Sequence, residues 1–203
     1  MKILALDGST ATVSLALAAD GAVVAESAFD ASARRALDLF AAAEALLAQA
    51  GWSLADVTHF VAGRGPGSYT GLRVTLTAAR AWALPRGLPV AALSSPAAVA
   101  AAWYEGHPAR TEDLVVSGDA RRGTEWAVRF ARDGKTLVRQ TGEERLVFPG
   151  EKASLWTDAL WLPRDAAPRA AFLAKLFCAG CPAEEPVPRY MHPAVTLPPP
   201  FPD

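Results

Sequence analysis

Histidine and cysteine, which do much of the metal binding and proton transfer in proteins, are nearly missing here: three and two in 203 residues. His59, His107 and His192 are dispersed, so no pair is spaced to share a metal, and each reads as a surface or turn residue. Cys178 and Cys181 form one C-x-x-C with no second pair to complete a zinc site. They follow an expected helix over 169–177, at its carboxyl end, where the dipole disfavours thiolate. A helix end closed by Gly180 and stopped by Pro182 is the plainer reading. No excess of either charge exists: 20 Lys and Arg stand against 21 Asp and Glu, net charge -1, pI about 6.3. That balance argues against a protein that grips nucleic acid unaided. No apolar run approaches the roughly 18 residues of a membrane span. Met1-Lys2-Ile3-Leu4 runs straight to Asp7, without room for a signal-peptide hydrophobic region, so a cytoplasmic location is expected. No G-x-S-x-G elbow occurs either; Ser68 has Pro66 and Thr70 where glycines would stand.

Glycine, by contrast, is concentrated. Gly63-Arg64-Gly65-Pro66-Gly67-Ser68-Tyr69-Thr70-Gly71-Leu72-Arg73 lies between an apolar strand pattern, 58–63, and a helical pattern that continues to about Leu84. Glycine serves where φ must be positive or where backbone must come close to something else. A helix opening at such a joint presents free N–H groups and a positive dipole end. That suits a phosphate or a close-fitting protein partner, and a tight loop without ligand remains open. The NTPase phosphate loop requires lysine before Ser or Thr, and none is here. The dinucleotide fingerprint requires a third glycine where Thr70 stands, and an acid about 20 residues on.

Around this joint the spacing predicts strands over 2–6, 13–19 and 22–28, with a hairpin turn at Asp20-Gly21. A helix is expected from Ala33 to Ala50, stopped by Gly51, then a strand over 90–93, then a helix capped by Ser95 and closed by Gly106. The pattern then restarts: a strand over 114–119 ends in aspartate, like the first, and a hairpin turns at Asp133-Gly134. Asp20 stands 13 positions after Asp7, and Asp133 stands 14 positions after Asp119. This reads as a duplicated β-β-β-α unit with halves 1–111 and 112–203, the second degenerate. Beyond Gln140 only short apolar runs and one convincing helix appear. The tail from Pro182 is proline-rich, and its last ten residues or so read as irregular.

Gly65-Pro66-Gly67-Ser68-Tyr69-Thr70-Gly71-Leu72-Arg73 resembles the signature of the TsaB (YeaZ) family, GPGS[FY]TGLR. Ile3-Leu4-Ala5-Leu6-Asp7 with Ser9-Thr10 is similar to that family's amino-terminal ILALDTST, although Gly8 stands where the family has threonine. Asp119-Ala120-Arg121-Arg122-Gly123 with Glu125 is similar to its DARRGEVY. Pro188-Arg189-Tyr190-Met191 is similar to its closing P-x-Y-[LM]-R, with His192 in place of arginine. The resemblance runs from Met1 to about Phe130, then thins until the tail.

It implies an α/β protein with the duplicated actin-like ATPase (ribonuclease H-like) fold. It further implies a non-catalytic subunit of tRNA threonylcarbamoyladenosine synthesis that homodimerises and supports a TsaD-like catalytic subunit. A TsaE-like ATPase would dock on the pair, and tRNA would be held through the complex. No metal or cofactor of its own is implied, with ATP and Mg at the level of the complex. In such a fold the strand-end Asp7 and Asp119 would face a cleft, with Ser9, Thr10 and Arg121 beside them as a vestigial nucleotide site. Gly8 removes a hydroxyl there and speaks against nucleotide.

The helices 33–50 and 69–84 are apolar on two faces, which fits partner contact or double burial equally well. The resemblance selects partner contact, through Leu37, Phe40, Leu47, Ser68, Tyr69, Thr70, Leu72, Arg73, Leu76 and Trp82. The family has histidine and glutamate in the first helix where this chain has Arg35-Ala36-Leu37-Asp38-Leu39, so partner choice is expected to differ there. The alternative is a stand-alone enzyme, ATP-binding and kinase-like or peptidase-like.

Overall fold

The computed structural model describes residues 1–30, 36–134 and 137–192, and the side chains of all of these except 36–38. The expected helix start at 33–35, the side chain of Leu37 and the tail beyond His192 lie outside them.

The first sheet has the order β3-β2-β1-β4-β5. Its strands are β1 (Lys2–Asp7), β2 (Thr12–Ala19), β3 (Ala22–Asp30), β4 (His59–Gly63) and β5 (Val90–Leu93). The central β1 pairs antiparallel with β2 and parallel with β4. Successive side chains of a strand point to opposite faces, so each central strand serves two cores. Leu4, Leu6, Leu15, Leu17 and Phe60 face α1 (Ala36–Gln49) and α2 (Tyr69–Ala83). Ile3, Ala5, Ala16, Ala18 and Val61 face α3 (Ser95–Gly106) and α4 (Ala170–Cys178). The smaller second set lets α4 approach the sheet closely, where it packs on β1, β2 and β4.

The second sheet has the order β10-β6-β7-β8, with β9 also on β7. Its strands are β6 (Leu114–Arg121), β7 (Thr124–Asp133), β8 (Leu137–Gln140), β9 (Arg145–Val147) and β10 (Leu160–Trp161). Leu114, Val116, Val128 and Phe130 enter the same core as α3 and α4, so this helix pair is shared by both sheets. The duplication is visible in pairing: β10 lies parallel to β6 as β4 lies parallel to β1. It is degenerate where the sequence becomes irregular. The outer face of the second sheet, Val115, Ala127 and Val147, is covered by Leu155, Trp156, Ala159 and Trp161, where the first sheet carries α1 and α2.

One expectation changes, and one contact is new. Ser94, not Ser95, occupies the cap position of α3, and the Ser95 hydroxyl accepts a hydrogen bond from Gly65 N instead (3.0 Å). The helix α4 is capped by a residue 156 positions away: Ser14 Oγ accepts from Ala170 N (3.0 Å) and donates to Pro168 O (2.9 Å). This hydroxyl on β2 fixes the second half to the first. Cys178 and Cys181 sit where α4 ends, closed by Gly180 at φ +81, and burial pushes both thiols up, away from thiolate.

Ser14→Ala leaves a buried amide and carbonyl without partners. It is expected to cost about 1–3 kcal/mol, read as a lower urea midpoint at unchanged slope.

Candidate functional site

The glycine-rich segment is a joint in which backbone packs on backbone. It leaves β4 beside Leu93, through Arg64 N to Leu93 O (2.9 Å), and is tied to the start of α3 by Gly65 N to Ser95 Oγ and by Ser95 N to Gly65 O (3.2 Å). The Gly65–Pro66 bond is cis. Ser68 N donates to Ser9 O (2.7 Å), and Ser68 Oγ caps α2 by accepting from Gly71 N (3.2 Å).

Each glycine admits a neighbour where a Cβ would stand. A Cβ on Gly63 would fall on Asp7 Oδ2, one on Gly67 on Ser9 O, and one on Gly71 on Gly8 O. From the other side, a Cβ on Gly8 would lie 2.7 Å from Gly71 O and 2.8 Å from Thr75 Cγ2. The turn after β1 and the opening of α2 are therefore locked face to face. Threonine at position 8 would not fit this spacing.

That contact consumes the groups a phosphate would need. Ser9 N and Ser9 Oγ both donate to Asp7 Oδ1 (2.8 and 2.7 Å), and Ser9 O is taken by Ser68 N. The Thr10 hydroxyl donates to Thr12 O (3.1 Å). Asp7 is fully buried, sealed by Gly63 and Ser95. Burial pushes its carboxyl above the usual carboxylate range, opposed by hydrogen bonding with Ser95 and Ser9. Its Oδ2 makes no hydrogen bond of full geometry, whereas Oδ1 accepts both bonds from Ser9.

A cleft of about 1030 Å³ lies between the two lobes, one built on each sheet. Ser9, Thr10, Asp119 and Arg121 line it, as does His192, expected to be a surface or turn residue; Asp7 does not. The two strand-end aspartates thus do not converge. The buried Asp7 faces the joint. Asp119 is held at the cleft wall by Asp165, which accepts from Asp119 N (2.9 Å), and by Arg121 (3.2 Å). Trp126 closes the cleft floor over Gly118, where a Cβ would meet its ring.

The expected partner-facing residues divide. Leu47, Leu72 and Leu76 are core residues at 6% exposure or less; Leu47 and Leu76 pack with the first sheet, and Leu72 lies beside Gly65 of the joint. Ser68 is spent as a cap. Phe40, Tyr69, Thr70 and Arg73 are exposed, and Trp82 is half-buried with its ring edge-on to Phe40 (5.3 Å between centroids). Tyr69 is 57% exposed; Arg73 donates to its hydroxyl and lies over its ring (5.1 Å). Among the described residues, Glu44 on α1 and Arg73 and Arg80 on α2 make no ion pair. Tyr190, stacked on Tyr69 at 4.9 Å, was not among the expected site residues. Its motif, Pro188-Arg189-Tyr190-Met191, was the signal for it.

Comparison with known proteins agrees with this architecture. A family model described as TsaD, tRNA N6-adenosine threonylcarbamoyltransferase, matches residues 11–154. The chain is 33% identical over 151 residues to the tRNA threonylcarbamoyladenosine biosynthesis protein TsaB of Escherichia coli, covering 73% of this chain and 63% of that protein. It is 34% identical over 125 residues to the TsaB of Bacillus subtilis, covering 61% and 52%. The chain thus spans between half and two thirds of the length of these curated relatives. A crystal structure of YeaZ from Pseudomonas aeruginosa shares the fold, with TM-score 0.80 and 24% identity over 93% of this chain and 99% of that one.

Gly71→Ala forces a methyl onto the Gly8 carbonyl and should cost about 1–3 kcal/mol or more. Gly106→Ala, where a Cβ meets nothing within 4 Å, should be neutral or slightly stabilising in the same denaturant titration. Because the Asp7 pKa is raised in the folded state, its carboxyl favours folding when protonated. That contribution is lost as pH rises from the unfolded value through the raised folded one. Asp7→Asn should therefore melt higher than wild type at pH 7 and show a flatter dependence of Tm on pH above 4.

Proposed function

The chain belongs to the TsaB (YeaZ) family, and on that premise we propose that it is a non-catalytic subunit in tRNA threonylcarbamoyladenosine biosynthesis that works by docking a TsaD-like chain. The observation that carries this reading is the joint itself. It presents Tyr69 and Arg73 outward, with no ion pair for Arg73 among the described residues, while committing the Ser9 and Thr10 hydroxyls and Asp7 to internal bonds.

Two surfaces serve association. One is the outer face of α1 and α2, where Phe40, Ala41, Ala45 and Leu84 are exposed around Trp82. Glu44 on one helix and Arg80 on the other, which make no ion pair among the described residues, are self-complementary, which suits a two-fold contact between copies. The other is the corner formed by Tyr69, Thr70 and Arg73. Aromatic and arginine side chains of this kind carry most of the energy of interfaces burying roughly 1,200–2,000 Å². A TsaE-like ATPase and tRNA join through the assembled complex, in the cytoplasm, and ATP with Mg belongs to that complex. Among the described residues no helix is long and apolar enough to cross a membrane. The kinase-like alternative draws no support from a strand-end turn whose hydroxyls are already bonded.

The reading is tested by reconstitution. tRNA modification by a reconstituted set that includes the TsaD-like chain and the TsaE-like ATPase should depend on this protein. Equal modification in its absence would sink the proposal. Within that system Arg73→Glu and Tyr69→Ala should each weaken TsaD-like binding by at least about tenfold, the level of a hot-spot loss. Both variants should keep the wild-type melting temperature, since both side chains are exposed.

A further inference from the structure

After α4 the chain runs back across the molecule and bonds in turn to β5, to the glycine joint and to the second sheet. Glu184 pairs with Ala92 of β5 in both directions, N to O at 2.9 Å and O from N at 3.4 Å. Its carboxylate pairs with Arg64 of the glycine joint, and Arg189 N donates to Arg64 O (2.7 Å). Burial and the nearby Arg189 lower the Arg64 guanidinium from its ordinary value. The same segment then reaches the second lobe. Arg189 Nε donates to Glu144 Oε2 (2.6 Å), whose side chain is only 13% exposed, and His192 Nε2 meets Thr124 Oγ1 (3.2 Å). Between those two attachments Tyr190 stacks on Tyr69. Tyr190, Met191 and His192 line the cleft together with Ser9 and Thr10 from one lobe and Asp119 to Arg122 and Trp126 from the other.

We propose that residues 184–192 are a strap that fastens the two lobes across the cleft and completes the docking corner with Tyr190, so that partner engagement at Tyr69 and Arg73 and closure of the cleft are coupled. The partner arm of this inference rests on the TsaD-like docking proposed above; the closure arm does not. Coupling follows from the covalent continuity of the segment Arg189-Tyr190-Met191-His192. A partner that buries the Tyr69–Tyr190 stack restrains Arg189 directly and His192 through Met191, and Arg189 and His192 hold the second lobe. Linkage makes the effect reciprocal: a loosened strap weakens the partner.

The test is hydrogen exchange by mass spectrometry on the full chain, wild type against Arg189→Gln/His192→Ala, which cuts only the second-lobe attachments. Amides of 9–13 and 119–126 should exchange at least about fivefold faster in the variant, while β1 and β4 keep their protection. Unchanged exchange at the cleft overturns the strap, and so does a uniform loss that includes β1 and β4. Tyr190→Ala leaves the ion pair and backbone bonds in place. It should lower TsaD-like affinity at least about fivefold, and wild-type affinity in that variant overturns the coupling. If wild type itself fails to bind the TsaD-like chain, the docking proposal falls and the coupling with it, whereas the exchange result still decides the strap.

Discussion

The rest of the structure depends on one contact of main chain against main chain, where the turn at Gly8 and Ser9 meets the opening of α2 at Gly67 to Gly71. No side chain could occupy that interface, because the Ser9 and Gly8 carbonyls stand where Cβ atoms of Gly67 and Gly71 would be. Once it is made, α2 is fixed relative to β1 and β2, and its apolar side covers the leucines of the first sheet. Tyr69 and Arg73 are left on the opposite side. The same contact also silences the turn after β1 as a phosphate site, since Ser9 is bonded through its amide, hydroxyl and carbonyl. One geometric feature thus positions a surface and removes a chemistry.

The sequence carried most of the first lobe because its signals are local. Period-two apolar strands, an Asp-Gly hairpin and glycine stops require no knowledge of distant residues, and β1, β2 and β5 appear where those signals place them. What was not legible depends on tertiary neighbours. Nothing near Ser14 says that it caps a helix 156 residues later, and nothing near Ser95 says that its hydroxyl serves Gly65 rather than its own helix. The strands β9 and β10, three and two residues long, are too short to show a period.

The site was legible in composition more than in role. The glycines were visible as a demand for a special backbone, but whether that backbone cradles a phosphate or a neighbouring turn depends on what the Gly8 turn does with its own donors. Asp7 and Asp119 looked equivalent at the ends of matching strands. Gly63 and Ser95 seal the first, whereas Asp165 and Arg121 hold the second at an open wall. In the helices, the double apolar face of α2 divides into a buried leucine stripe and an exposed edge led by Tyr69. Helical spacing alone cannot say which stripe meets the sheet.

The central claim is that the glycine joint spends its polar groups on packing and its exposed corner on a protein partner. Calorimetry on the purified chain tests this most directly, titrating Mg-ATP in one experiment and the TsaD-like chain in another. The account predicts saturable heat with the TsaD-like chain, lost in Arg73→Glu, and none with Mg-ATP alone. Saturable Mg-ATP binding to the isolated chain, abolished by Ser9→Ala, would contradict it.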